Sequence, residues 1–478
     1  MADIDILVPS DGPRLWHAEI ARRLAGAGHD ARLVRGDAGD PCPRLLDGVL
    51  KVEARLGGRR APMLWMQASE RTAPPRFGAT RLGPQADIQV MFDGETSIWK
   101  VGAVLLSGGL PSLSIRCHDR TVATAEPMVD ARIQTGRGLD DVLARAVSLA
   151  VSTTLRIMAG NRLAALPAPE RRQAPDALAG LLGTALPRAG REALRRTRHW
   201  PAHWRVGYRF HNGPGVAATG QLGGPDWSIL PDDGQRYYAD PFAFEHDGRH
   251  FVFVEEYPHA LGKGVLSVAA FDAAGRPSTP QVILEEAHHL SYPQVFAHGG
   301  DIFMLPEAGA SHALTLYRAK RFPDVWERHA VLIEGRELFD ATLLDHGGRL
   351  WLLASERDGF GSTSDMMVAF SAERLEGPWT PHRMNPIAID RAAARSGGAF
   401  VRIGKRIVRP VQDGTDGYGG GLGLSDLVRL DDDAVEFGRP VGILGREGWP
   451  YPRIHTLNRA GPLEVIDGLA EVRKVRAA

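Results

Sequence analysis

The stretch RYYADPFAFEHDGRHFVFVEE, residues 236–256, decides how the second half of the chain is read. Two apolar runs flank a His246-Asp247-Gly248 turn, which predicts a β-hairpin. The same pattern returns as YPQVFAHGGDIFMLPE from Tyr292, DATLLDHGGRLWLLASE from Asp340 and SGGAFVRIGKRIVRPVQ from Ser396. A weaker copy, YPRIHTLNRAGPLEVID, starts at Tyr451. Successive starts lie 52, 48, 56 and 55 residues apart, and the first four copies turn at Gly248, Gly300, Gly348 and Gly404. The rest of each period has room for two more strands, as in VLSVAAFDAAGRP and LTLYRAKRFPDVWERHAVLIE. Four strands per unit, five times over, predict a five-bladed β-propeller over residues 206–478. A β-sandwich does not account for the even spacing.

In a propeller the first strand of each blade lines the axis, so Asp240, Tyr292, Asp340, Ser396 and Tyr451 are expected to ring one pocket. Two carboxylates at equivalent positions make Asp240 and Asp340 candidate catalytic groups, although aspartate also serves as ordinary turn punctuation. Glu307 and Glu356, which end second strands, are the further carboxyl candidates. Glu255 and Glu256 are adjacent and cannot both point inward, and both are set aside. Two carboxyl groups, one ionised and one kept protonated, are what glycosyl chemistry commonly needs. Tyr292 and Tyr451 join as binding candidates. The fourth copy adds Arg395, Arg409, Gln412, Asp413 and Tyr418 in a glycine-dense setting, and its two arginines suit a phosphate or carboxylate. His288, His289, His298 and His346 read as turn residues. His455 is kept as a binding candidate, and the histidines show no metal-ligand spacing.

Composition narrows the class. The chain has 478 residues, with 57 basic and 57 acidic side chains, so no global field points to nucleic acid. Two cysteines, Cys42 and Cys117, provide neither a disulfide framework nor a zinc cluster. No signal-peptide pattern or long apolar run occurs, and a cytoplasmic protein is the expectation.

Residues 1–160 alternate strand and helix: IDILVP, then RLWHAEIARRLAGAGH, then DARLVRG, with a later helix in LDDVLARAVSLAVSTTLRIMA. This predicts an α/β, Rossmann-like domain, but the turn SDGPR has no glycine-rich phosphate fingerprint. Residues 161–205 read as a helical linker broken by Pro167, Pro169, Pro175 and Pro187. Its arginines at 188, 191, 195, 196 and 198 follow the apolar segment LAGLLGTAL. A solvated linker is the plain reading, and a basic helix lying on an anionic membrane surface is the sharper one.

The motifs YYADPFAF, FVFVEEY, HLSYPQVF, MLPEAG, LFDATLL and RPVQD, in this order, resemble the propeller domain of glucosamine inositolphosphorylceramide transferase-like proteins. That domain also occurs in bacterial proteins labelled formyltransferase-like and is related to five-bladed glycoside hydrolases of families 43, 32 and 68. The resemblance implies that Asp240 takes the place of a general base. It implies that Asp340 takes the place of the aspartate that tunes and orients the acid. The family's acid is a glutamate on the fourth blade, where this chain has Arg395-Ser396-Gly397-Gly398. Either Glu307 or Glu356 then supplies the acid, or the reaction is transfer from an activated donor, in which Arg395 or Arg409 would meet a phosphate leaving group. For residues 1–160 the resemblance implies a formyltransferase-like domain without the Asn, His and Asp set for formyl transfer.

The expected function is a carbohydrate-active enzyme, a glycosyltransferase acting in glycolipid or surface-polysaccharide assembly. Alternatives are a family 43-like glycoside hydrolase, a non-catalytic glycan-binding propeller and a formyltransferase. The expected partners are a carbohydrate or glycolipid and a phosphate-bearing sugar donor, with no cofactor and no metal.

Overall fold

The computed structural model describes residues 2–57, 63–84, 86–130, 132–169, 176–443, 448–451 and 453–474. Pro175 lies outside them. The chain divides into two compact units. The first comprises Met1–Ala193 with Asp358–Ser362, and the second comprises Leu194–Arg357 with Thr363–Ala478.

The first unit holds β1 (Asp3–Val8), α1 (Leu15–Gly26), β2 (Asp30–Arg35), α2 (Arg44–Gly57), β3 (Thr80–Leu82) and β4 (Ile88–Phe92). It continues with α3 (Trp99–Leu106), β5 (Leu113–Cys117), β6 (Arg120–Ala125) and α4 (Thr135–Met158). Its sheet runs β2-β1-β3-β4-β5-β6. The first four strands are parallel, while β5 and β6 pair antiparallel. The fold is therefore α/β with a mixed sheet, and the Rossmann-like expectation reaches no further than its parallel half. The hairpin β5–β6 has no counterpart in the sequence reading, because RCHDRT carries no glycine to mark the turn. Beyond α4 come α5 (Ala177–Gly180) and α6 (Leu186–Arg198), joined by a π-helical turn over Leu181–Ala185.

The second unit is the propeller. The chain enters on β7 (Trp204–Phe210) and β8 (Ser228–Ile229), which wait for partners from the far end of the sequence. Blade one is β9 (Arg236–His246), β10 (Arg249–Pro258), β11 (Val265–Ala270) and β12 (Gln281–Leu284). Blade two is β13 (Ser291–His298), β14 (Asp301–Glu307), β15 (Ala313–Arg321) and β16 (Val325–Glu334). Blade three is β17 (Glu337–His346), β18 (Arg349–Arg357), β19 (Met366–Ala372) and β20 (Thr380–Pro381), with β21 (Ala388–Ile389) beside β19. Blade four is β22 (Val401–Ile403), β23 (Arg406–Asp413), β24 (Gly421–Leu430) and β25 (Val435–Phe437), with β26 (Val441–Gly442) beside β24. Blade five takes β27 (Leu457–Ala460) and β28 (Leu463–Leu469) and completes itself with β7 and β8. The ring thus closes by pairing Leu463–Leu469 antiparallel to Trp204–Phe210.

The second strands are buried on both faces, and their period-two alternation sends side chains into two different cores. On β10, Phe251 and Phe253 pack with Tyr292 and Met304 of blade two. Val252 and Val254 pack with Val206, Leu463 and Val465 of blade five. Each β10 side chain therefore holds two blades together, and a Phe253→Ala cavity would cost about 3–5 kcal/mol. Both turn residues Asp247 and Gly248 have positive φ, +50° and +69°, the tight-hairpin geometry that asparagine, aspartate and glycine tolerate.

Candidate active site at the propeller axis

Three residues of the predicted ring share an unusual backbone. Asp240, Tyr292 and Asp340 are non-glycine residues at φ +48°, +47° and +47°. Each sits where its strand slips register against the second strand: opposite Phe253/Glu255, at Ser291/Gln294 and at Phe339/Thr342. A bulge repeated at the same place in three blades re-aims three side chains toward the axis, and strain of this kind clusters at functional sites.

Hydrogen bonds between first-strand residues of different blades tie the axis together. The Tyr292 hydroxyl lies 2.9 Å from Thr342 Oγ1 and accepts from Gly398 N at 2.9 Å, so blades two, three and four meet on one phenol. Tyr292 is fully buried. It is the floor of the site rather than a flexible binding group. Asn458 donates to Pro241 O and accepts from Ala399 N, joining blades one, four and five.

Above this floor the first-strand ring continues with Ser396 and Thr456, and the facing second-strand ring is Glu255, Glu307, Ser355, Gln412 and Asp467. Their backbones pair with, or bond to, the first-strand bulges. The fifth member of the first ring is therefore Thr456, whose hydroxyl donates to Asp240 Oδ1 at 2.7 Å. Tyr451 packs instead against Trp449, with ring centroids 5.2 Å apart. The sequence expectation fails here because the ring residue of blade five stands five residues before its turn glycine, Gly461, where the first four copies have eight.

The carboxyl set also needs correcting. Glu356 points away from the axis and forms a two-pronged pair with Arg336 at 2.6 Å on both oxygens. Glu255 occupies the site, while Glu256 turns outward to Arg236 and Ser267. Counting from the turn glycine would have shown this parity: Glu255, Glu307 and Ser355 each stand seven residues after it. Glu255 is 6% exposed, and its Oε1 has no hydrogen-bond partner among the described residues. His289 Nδ1 accepts from Gly264 N at 2.8 Å, so Nε2 carries the proton and faces Glu255 Oε1 at 3.5 Å. Only glycine fits at 264, because a Cβ would lie 2.8 Å from that same oxygen and 2.4 Å from Leu290 O.

Burial, followed by repulsion among Asp240, Glu307, Asp340 and Asp467, holds the Glu255 carboxyl well above the usual range. Burial pushes Glu307 up to about 7, although Ser291 Oγ and Gly309 N both donate to it. Asp240 is pushed up to about 6, again chiefly by burial, against the pull of His455. His455 stands between two acids, its Nδ1 2.5 Å from Asp467 Oδ2 and its Nε2 3.7 Å from Asp240 Oδ1. Burial alone would lower its pKa, but Asp467 and Asp240 outweigh that and raise it. Asp467 also accepts from the backbone N–H groups of Asp240, His455 and Thr456. Ligand atoms of Asp240, His455 and Asp467 lie within 4.8 Å of one another.

Asp340 is fully engaged. Arg395 grips it through Nε at 2.6 Å and Nη2 at 3.1 Å, and Gln412 Nε2 donates to it at 2.6 Å. Arg395 also donates to Thr363 and Ser364 and lies over the rings of Phe339 and Tyr418. Arg409 is elsewhere. It donates to the carbonyls of Ala393 and Ala394 and to Ser396 Oγ, and burial without an acid lowers its pKa to about 10. It braces blade four and does not reach the acids. Asp413 caps a turn by accepting from Thr415 N. Tyr418 is 44% exposed, and desolvation followed by the nearby acids raises its hydroxyl's pKa well above the usual value. Tyr257 lies beside His289 with ring centroids 6.2 Å apart, Tyr418 lies edge-on to His455 at 5.7 Å, and Trp204 stacks on His455 at 3.8 Å.

Residues 232–460 match the family model described as glucosamine inositolphosphorylceramide transferase 1, N-terminal. Glucosamine inositolphosphorylceramide transferase 1 of Oryza sativa subsp. indica is 32% identical over 247 residues, covering 48% of this chain and 33% of the rice protein. The Arabidopsis thaliana protein of the same name is 31% identical over 229 residues, covering 46% of this chain and 30% of its own length. The chain thus spans about a third of the length of these curated relatives. Among solved structures, a family 117 glycoside hydrolase from Zobellia galactanivorans gives a TM-score of 0.37 at 11% identity, over 54% of this chain and 80% of that one. An exo-β-1,3-galactanase from Phanerochaete chrysosporium, solved with galactose, gives 0.36 at 15% identity, over 45% and 55%. The residues matched by the family model fall within the propeller unit, Asp358–Ser362 aside. The five blades themselves rest on the strand order described above.

Proposed function

We propose that the propeller axis is a carbohydrate site that carries out glycosyl transfer, with a glycolipid or other surface glycan as acceptor. The observation that carries the reading is the convergence of Asp240, Glu255 and Glu307 in one desolvated site with their acidities pushed apart. Such a set supplies both members of an acid and base pair at neutral pH. Asp240, ionised above about pH 6, takes the proton of an acceptor hydroxyl as its oxygen attacks the anomeric carbon. The bond from that carbon to the leaving group breaks, and Glu255 or Glu307 delivers a proton to the departing oxygen. A phosphate leaving group needs little of that proton, which fits a blade four that offers Arg395 where the hydrolases of the resembled families have a glutamate. Tyr418 and Tyr257 provide aromatic faces for a sugar ring. The names of the plant relatives support an acceptor with an inositolphosphoryl headgroup. Only about a third of those proteins is matched, and the family model is described as N-terminal, so the carboxyl ring and not the likeness carries the catalytic claim.

The test is transfer of sugar from nucleotide-activated donors to an inositol-phosphate-headed lipid, alongside release of sugar from aryl glycosides. Asp240→Asn is expected to lose about 10²–10⁴-fold in turnover while keeping its circular dichroism. Wild-type turnover in that variant would end the proposal. Release from aryl glycosides without a donor would instead make the protein a hydrolase. The engagement of Asp340 by Arg395 and Gln412 favours one second reading, a propeller that binds glycans without turning them over. It predicts saturable sugar binding that survives Asp240→Asn.

A further inference from the structure

The helical run from Ala177 to Arg198 presents an apolar stripe to solvent. Leu178, Leu182 and Leu186 are 52%, 59% and 55% exposed and follow one another at four-residue steps, which keeps neighbours on one side of the helix over about 12 Å, and Leu194, 55% exposed, follows eight residues on. Residues between them, Leu181, Thr184, Ala185, Arg188 and Ala189, are half-buried on the opposite side. Three exposed leucines on adjoining turns are a cost in water that singly exposed leucines are not. The same run carries Arg188, Arg191, Arg195, Arg196 and Arg198 against one acid, Glu192. Arg191, Arg196 and Arg198 are exposed, and Arg195 donates to the carbonyls of Trp200 and Pro201. Among the described residues no helix is long and apolar enough to cross a membrane.

We infer that this helix docks the protein on an anionic lipid surface, with the leucines in the headgroup–acyl boundary and the arginines on lipid phosphates. The charge selects the occupant. A second copy of the chain would bring the same arginine-rich face against itself, whereas an anionic bilayer complements both the leucines and the charge. The inference does not depend on the chemistry of the propeller axis. It holds whether that site transfers, hydrolyses or only binds.

The experiment is co-sedimentation of the full chain with vesicles of phosphatidylcholine alone and of phosphatidylcholine with 30% phosphatidylglycerol, the latter fraction being roughly that of an anionic leaflet. The expected result is binding to the anionic vesicles that weakens steeply between 0.05 and 0.5 M salt, both about the range over which surface screening changes. The double variant Leu182→Glu, Leu186→Glu is expected to bind at least about tenfold more weakly with an unchanged melting profile, since neither side chain is in a core. Arg191→Glu with Arg198→Glu is expected to remove the salt-sensitive part. Absence of binding to anionic vesicles at low salt would overturn the inference. So would binding that the leucine variants leave intact. A chain that is dimeric in solution, becomes monomeric on Leu182→Glu, Leu186→Glu and ignores vesicles would show the stripe to be a self-association face, and overturn it equally.

Discussion

The two sides of the propeller axis are built alike and charged differently. Blades one to three place Asp240, Tyr292 and Asp340 on strained bulges and face them with Glu255, Glu307 and Ser355. Blades four and five occupy the same positions with Ser396 and Thr456, faced by Gln412 and Asp467, and add Arg395 and His455 from the neighbouring residues. One backbone plan repeated five times thus yields an acidic arc and an arc that supplies the cations. The difference teaches that the repeat sets where side chains point, while individual substitutions set the chemistry. Acids on one arc alone would lose their charge to burial and mutual repulsion. The cations of the other arc let part of the set stay ionised, and that split is the basis of any acid and base division of labour.

Breaking the link between the arcs should have the largest effect. Arg395→Gln leaves Asp340 buried without its cation, and a loss of about 3–5 kcal/mol is expected in denaturant unfolding. Most of it should return in the double variant with Asp340→Asn, and additive losses would show that the pair is not the link. A smaller effect tests the acidic arc alone. Glu307 holds a proton up to about pH 7 when folded, against a usual 4.5. The native state therefore retains a proton that the unfolded chain has released, and stability falls as pH rises between those two values. Glu307→Gln should flatten that slope and gain, at pH 8, up to about 3 kcal/mol relative to the wild type. An unchanged slope would mean that Glu307 is not the group titrating. The smallest change is expected at Glu356, whose pairing with Arg336 lies off the axis. Glu356→Gln should leave turnover and sugar binding as they were.

Much of the propeller was legible because each blade repeats a tight turn whose glycine marks the register. Asp240, Tyr292 and Asp340 were found that way, since the spacing from turn to ring is constant in the first three copies. What escaped has physical reasons. The second-strand acids alternate with outward neighbours, so one residue of slippage exchanges Ser355 for Glu356 and Glu256 for Glu255. The bulges that create this slippage carry aspartate and tyrosine, not glycine, and so leave no compositional mark. Blade five was misplaced to Tyr451 because its first hairpin is shorter, with five residues instead of eight between the ring position and the turn glycine Gly461. Arg409 was read as a ligand group because a sequence does not distinguish an arginine that caps carbonyls from one that faces a pocket.

The closure of blade five has a bearing on the order in which the protein can be assembled. Asp240 is made early in the propeller, but Thr456, His455 and Asp467, which hold its side chain and its backbone N–H, follow more than two hundred residues later. Until they arrive, the first blade has no neighbour on one side, and Val252 and Val254 have no Leu463 or Val465 to cover them. The catalytic candidate and the seam of the ring therefore mature in one event. A chain that ends before residue 455 has four blades and lacks the partners of Asp240, and closing so long a loop costs more entropy than closing a hairpin within a blade.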